Sequence, residues 1–282
     1  MKTRTLEDKE DKQLVTDALG GDRESLATLL SRHHPMVYNF LQRLVLNPID
    51  AEDLTQETLV KIVTRLDSFK GNSQFRTWVF QIAKNTFLDS KKRPLEHAIV
   101  GFSEYGQDLD IIPLDEDELI GNPERELLFK EAKAGCMMGM LLCLDRQQRL
   151  VYVLGEILSI ESKVAAEILE VSPENFRKLL QRARKHIVSF MEDKCGLINK
   201  SNPCRCSKKT KGFIKEGWVD PLNLKFTDTR LKTIKEMIDA KNDDLSRLEK
   251  QYMEHFQSHS FLTPKSKKLV EIINSLGTRQ EV

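Results

Sequence analysis

Apolar residues recur at three- and four-residue intervals through nearly the whole chain, and alternating strand-like runs are almost absent. That periodicity confines the fold to packed helices, so the fold class expected is all-α. The helical signal comes in two blocks. Helices are read at about 22–33, 35–46, 51–67 and 74–92, with Asn47-Pro48 and Lys70-Gly71-Asn72 as breakers. From Pro94 to Pro123 the periodicity fades into a stretch with Pro113, several glycines and the acidic run DLDIIPLDEDE at 108–118. Asn122-Pro123-Glu124 then has the form of a helix start, and helices follow at about 124–143, 146–156, 162–169 and 173–191.

A chain of 282 residues holds two small domains and further segments. The expected division is a first bundle over 1–94, a flexible acidic linker over 95–123, a second helical domain over 124–191 and an extension over 192–282. Amphipathic helices are read in that extension at about 228–256 and around Leu269, Ile272, Ile273 and Leu276.

Hydrophobic residues make up 40% and charged residues 31%, a balance suited to a soluble helical protein. No apolar run approaches the roughly 20 residues that cross a bilayer, and the start MKTRTLEDKEDKQLV lacks the apolar stretch of a secretory signal. A cytoplasmic location without membrane insertion is expected. The odd count of five cysteines argues for reduced thiols over a disulfide scaffold. The formal net charge of +1 hides a separation of signs, with basic clusters at 91–93, 177–186 and 208–211 set against the acidic 108–118. Clustered cations of this kind, more than a favourable total, are what phosphate contact requires. No GxxxxGK[ST], HExxH or GxSxG pattern occurs, so no catalytic residue, cofactor or enzymatic activity is expected.

Two helices have asymmetric faces. In AEDLTQETLVKIVTRLDSF, Leu54, Thr58, Leu59, Ile62, Val63 and Leu66 fall on one side, and Asp53, Gln56 and Glu57 on the other. A solvated face explains that polar side as well as a partner would. In the next helix Phe75, Val79, Ile82 and Thr86 face inward. Thr77, Gln81, Lys84, Asn85, Lys91 and Lys92 form a polar and basic stripe with Trp78 at its edge. Ammonium groups there can meet phosphates and an aromatic can stack on an unpaired base, although a core Trp is the more ordinary reading.

HHPMVYNFLQRLVLNPIDAEDLTQETLVKIVTRLDSFKGNSQFRTWVFQIAKNTFLDSKKR resembles the second conserved region of the sigma-70 family, extracytoplasmic-function (ECF) type. LLCLDRQQRLVYVLGEILSIESKVAAEILEVSPENFRKLLQRARKHI resembles its fourth region, which ends in a helix-turn-helix. The resemblance implies a monomer that binds core RNA polymerase and promoter DNA, with an anti-sigma factor as a further partner of some members. Asp53, Gln56 and Glu57 would dock on the β′ clamp, and the fourth region would meet the β flap. Trp78, Gln81, Lys84, Asn85, Lys91 and Lys92 would hold the non-template strand of the minus-ten element, one base flipped into a pocket without nucleotide hydrolysis. Glu174, Asn175, Arg177, Lys178, Gln181, Arg182, Arg184 and Lys185 would face the minus-thirty-five element in the major groove.

The resemblance also implies that the linker threads the polymerase cleft, with Asp108, Asp110, Asp115, Glu116, Asp117 and Glu118 mimicking nucleic acid. One departure is Glu170, which stands where many such turns carry glycine. Cys195, Cys204 and Cys206 are candidate metal thiolates, but their spacing matches no recognised CxxC…CxxC site, and ordinary loop thiols explain them better. The extension over 192–282 lies outside the family plan, and its expected role is to pack on one or both DNA-binding domains and regulate access to polymerase. The rival reading is a stand-alone helix-turn-helix transcriptional regulator, which leaves the first block's two faces without use.

Overall fold

The computed structural model describes residues 2–99, 101–115, 123–222 and 224, and every regular element in them is helical. They fall into two compact units. One comprises Met1–Arg93 and Ile160–Phe176, and the other Pro94–Ser159 and the described residues from Arg177 onward.

The first unit begins with α1 (Lys2–Leu19) and α2 (Arg23–Val45). Asp22 caps α2, its carboxylate accepting from the amides of Glu24 at 3.1 Å and Ser25 at 3.2 Å. Sequence periodicity suggests two helices here, divided near Pro35, but α2 runs through that proline unbroken. An interior proline costs about 3 kcal/mol. Burial of His33, His34, Val37 and Tyr38 on either side supplies the packing that offsets it. Asn47 and Pro48 then start α3 (Pro48–Thr64), with Asn47 capping and Pro48 in the first turn, where its missing N–H is harmless. A 3-10 turn (Leu66–Ser68) leads to α4 (Phe75–Asp89). The core between α2, α3 and α4 holds Phe40, Leu41, Leu54, Leu59, Ile62, Phe75, Val79 and Phe87, and Phe40 meets Phe80 edge-on at 5.1 Å.

Few apolar residues announce α1, and sequence reading passes over it. A buried carboxylate ties it down: Asp11 accepts from Arg32 at 2.8 Å and lies 2.9 Å from His33 Nε2. Burial alone would raise the Asp11 carboxyl. The hydrogen bonds and charges of His33 and Arg32 outweigh it, holding the group below its ordinary 3.8. At the position after His33, burial lowers the pKa of His34 below its ordinary 6.5.

The two shifts act in the same direction on stability. Below pH 6.5 the unfolded chain takes up a proton at His34 that the folded chain refuses, and below 3.8 the same holds at Asp11. Unfolding free energy should therefore decline as pH falls from 6.5, and further below 3.8. Urea titrations across that range check it, and His34→Gln should flatten the upper part of the slope.

In the second unit α5 (Pro94–Ala98) and α6 (Phe102–Ile111) stand where sequence reading places an irregular tether. Short helices with only one or two buried turns leave too little periodicity to be read. Glu96 anchors α5, and Tyr105 and Leu109, one turn apart, bury one side of α6. Then come α7 (Pro123–Cys143), α8 (Arg146–Tyr152) continuing as a π-helical turn (Val153–Ile157), α9 (Ser162–Leu169), α10 (Pro173–Lys194) and α11 (Cys206–Lys215). Of these, α9 and the start of α10 belong to the first unit. Tyr105 fits against Gly139 of α7, where an added Cβ would lie 2.4 Å from its hydroxyl oxygen, and it donates to the Cys136 carbonyl at 3.0 Å. α11 occupies a stretch expected as a loop. The helices expected at 228–256 and near Leu269 lie outside the described residues.

Candidate nucleic-acid interface

On α3, Leu54, Thr58, Leu59 and Ile62 are buried, whereas Asp53 and Glu57 are exposed and Gln56 is half-buried. The polar face expected from the sequence therefore exists as a surface. Its contacts within the chain are local ones, Glu57 with Lys61 at 2.8 Å and the Gln56 amide donating to Glu52 at 3.0 Å, each one helical turn apart. Such exposed pairs contribute a few tenths of a kcal/mol, about 0.3–0.5, so this face is not built for the fold's own stability.

The α4 stripe is assembled differently from its sequence image. Asn85, Lys91 and Lys92 are exposed, and Trp78 is half-buried against Phe69 and Phe75, with ring centroids 5.6 and 5.4 Å away. Thr77 and Lys84, expected on the open stripe, are each only 4% exposed. For Lys84 the cause lies on α9, which packs on α4 within the first unit. Lys84 Nζ meets Glu170 at 2.5 Å, and the Gln81 amide donates to the Glu167 carbonyl at 2.9 Å. A carboxylate and a carbonyl thus sit on the two side chains suited to a phosphate and a base edge.

Glu170 is also the residue that ends α9. Its φ of 57° and ψ of 41° are left-handed, the conformation expected of a glycine at this turn. The turn forms nonetheless, with the Val171 amide donating to the Ala166 carbonyl at 3.0 Å. Sequence reading missed Glu167 and Glu170 as partners of α4, and the one signal available was a charged residue standing in a glycine's place.

α10 starts on a capping Ser172, whose hydroxyl accepts from the Asn175 amide at 3.2 Å, with Pro173 in the first turn. Along it Glu174, Asn175, Arg177, Lys178, Gln181, Arg182, Arg184 and Lys185 are all exposed, while Phe176, Ala183 and Ile187 are buried. Arg184 pairs with Glu156, its Nε donating at 3.1 Å.

Among the described residues no group of three or more His, Cys, Asp or Glu is arranged to hold a metal ion. Cys195 and Cys204 face each other across an isolated bridge, and Cys206 is buried at the start of α11. Burial raises the thiols of Cys204 and Cys206, and pushes those of Cys136 and Cys143 up to about 12. The basic cluster at 208–211 does not form an open patch either, since Lys209 is buried and Lys211 pairs with Asp115.

Comparison with known proteins matches the family models Sigma-70 region 2 to residues 29–94 and Sigma-70, region 4 to residues 134–187. The RNA polymerase sigma factor YlaC of Bacillus subtilis is 30% identical over 60% of this chain and 93% of its own length. The ECF RNA polymerase sigma-E factor of Haemophilus influenzae is 28% identical over 63% of this chain and 93% of its own length. The solved structure of CnrH in complex with the cytosolic domain of CnrY is matched at 21% identity and a TM-score of 0.47, over 65% of this chain and 98% of that one. The chain belongs to the ECF group of the sigma-70 family, and its function is promoter-specific initiation of transcription. No described helix is long and apolar enough to cross a membrane.

Proposed function

We propose that this chain binds core RNA polymerase through the exposed Asp53, Gln56 and Glu57 of α3, which dock on the β′ clamp, and directs it to promoters through two DNA-contacting helices. The observation that carries this reading is the α3 face itself, an acidic surface opposite a fully packed side and without a structural task. Trp78, Gln81, Lys84, Asn85, Lys91 and Lys92 take the unpaired minus-ten strand, by stacking, phosphate contact and base-edge hydrogen bonds. Opening the duplex then runs on binding energy, since unstacking costs a few kcal/mol and these contacts offset it. The exposed residues of α10 enter the major groove at the minus-thirty-five element, where side chains can read base edges directly. The linker that carries Asp108, Asp110 and Asp115, with Glu116, Asp117 and Glu118 outside the described residues, enters the polymerase cleft toward the RNA exit, and the fourth region rests on the β flap.

Gln81 and Lys84 are engaged by α9 in this structure, so DNA capture requires the Glu167 and Glu170 contacts to be exchanged for nucleic acid. The experiment is transcription in vitro with core polymerase and a randomised promoter library, beside the same reaction with Trp78→Ala. The intact chain should select a two-part promoter motif. The variant should lose about tenfold in open-complex formation, the scale of one lost stacking contact. DNA selection by the chain alone as a dimer, with no core binding, would overturn the reading in favour of a stand-alone regulator.

A further inference from the structure

Two of the linker carboxylates that would face polymerase are already engaged by the chain itself. Lys194, at the end of α10, meets Asp110 at 2.6 Å, and Lys211 of α11 meets Asp115 at 2.6 Å. Between them Lys209, 4% exposed, donates to the carbonyl oxygens of Leu109 and, at 2.8 Å, Ile112. These are acceptors that the carboxyl end of α6 leaves open, and a cation there also complements the helix dipole.

The backbones meet as well, the Asp115 amide donating to the Lys208 carbonyl at 2.8 Å. Gly212 allows the approach, because a Cβ there would lie 2.4 Å from Ile112 Cγ2. Tyr105 of α6 stacks on Trp218 at 6.0 Å, and Trp218 on Phe213 of α11 at 5.3 Å.

The two kinds of contact do different things. Lys209, Gly212 and the stacked rings hold α11 to α6. The Lys194 and Lys211 pairs lie at the surface, where an ion pair contributes about 0–1 kcal/mol. They add little to stability. Their effect is to neutralise the anionic side chains of the linker, and they can be displaced by a denser set of cations.

We propose that α11 and its flanks are an intramolecular clamp on the linker, holding 102–115 in a docked form that core polymerase must displace before the chain can initiate transcription. This rests on the sigma-factor reading above, in which the linker enters the polymerase cleft. The part of the extension that the structure describes, up to residue 222, then acts on the linker.

The test uses the full chain and two variants, Lys209→Met and Lys211→Glu. Lys209→Met keeps the side-chain volume and leaves the α6 carbonyls without their cation. Lys211→Glu changes a half-exposed side chain that the fold tolerates and sets a like charge beside Asp115. Amide exchange of 102–112 and the concentration giving half-maximal transcription with core polymerase are both measured. If the docked form dominates the free chain, Lys209→Met should exchange about tenfold faster in α6 and reach half-maximal transcription at an about tenfold lower concentration, and Lys211→Glu should shift both in the same direction by about two- to threefold.

Unchanged exchange in both variants would show that α11 does not hold the linker. Faster exchange with unchanged or weaker transcription would show that the docked linker is not inhibitory. If the unaltered chain and both variants all fail to bind core polymerase, the sigma-factor reading fails, while the exchange rates still report on the clamp.

Discussion

Replacing Asp53 and Glu57 together by lysine is expected to weaken binding to core RNA polymerase by about a hundredfold, the range seen when charge complementarity across an interface is reversed. The effect should be confined to binding. Both side chains are exposed, and the pair of Glu57 with Lys61 that the change breaks is a helix-surface pair. Its loss, even with like charges left one turn apart, is worth about 0.5 kcal/mol. Titration of fluorescently labelled chain with core polymerase measures the first quantity and thermal unfolding the second. Unchanged affinity in a folded double variant would place the polymerase contact elsewhere on the chain.

Glu96→Ala should be the most damaging single change to the second unit, lowering its stability by about 3–5 kcal/mol. Glu96 accepts from Arg146 at 2.7 and 3.0 Å and from Arg149 at 3.0 Å, and the side chains of Glu96 and Arg149 are 2% and 3% exposed. Burial pulls the Arg149 guanidinium down in pKa and the Glu96 charge opposes it. Arg149 also donates to the carbonyls of Leu141 at 2.9 Å and Leu144 at 3.2 Å, so the cation cannot swing out to water without opening the end of α7. Removing the carboxylate takes the Glu96 charge away from a buried cation. Glu96→Gln keeps an acceptor and should lose less. Urea unfolding of the full chain measures both, and a loss below about 1 kcal/mol in Glu96→Ala would mean that the group behaves as a surface ion pair.

The long helices were legible because each buries a stripe wide enough to repeat. Leu54, Leu59 and Ile62 mark α3, and the bounds read for α7, α9 and α10 lie within three residues of those observed. Elements held by something other than an apolar stripe were not legible. α1 is fixed by the buried Asp11, α5 by Glu96, and α11 by Lys209 and a glycine against Ile112. A hydropathy pattern registers none of these, because each depends on single residues finding partners elsewhere along the chain.

The same limit applies to the candidate interface. Asp53 and Glu57 were read as exposed from helical phase alone, which suffices for a face turned to solvent. Lys84 was misread as open because the group that covers it is 86 residues away in sequence. Phase says which way a side chain leaves its helix. It says nothing about which other helix arrives there.

If Lys84 takes the minus-ten strand as proposed, its pairing with Glu170 sets the terms on which DNA competes. The carboxylate is tethered in the same compact unit, so it acts as a permanent local ligand at an effective concentration on the millimolar scale. A strand met in free solution at micromolar concentration loses that contest. A strand delivered alongside α4 by a bound polymerase would arrive at a comparable local concentration and could win it, so occupancy of this lysine would depend on delivery before it depends on affinity.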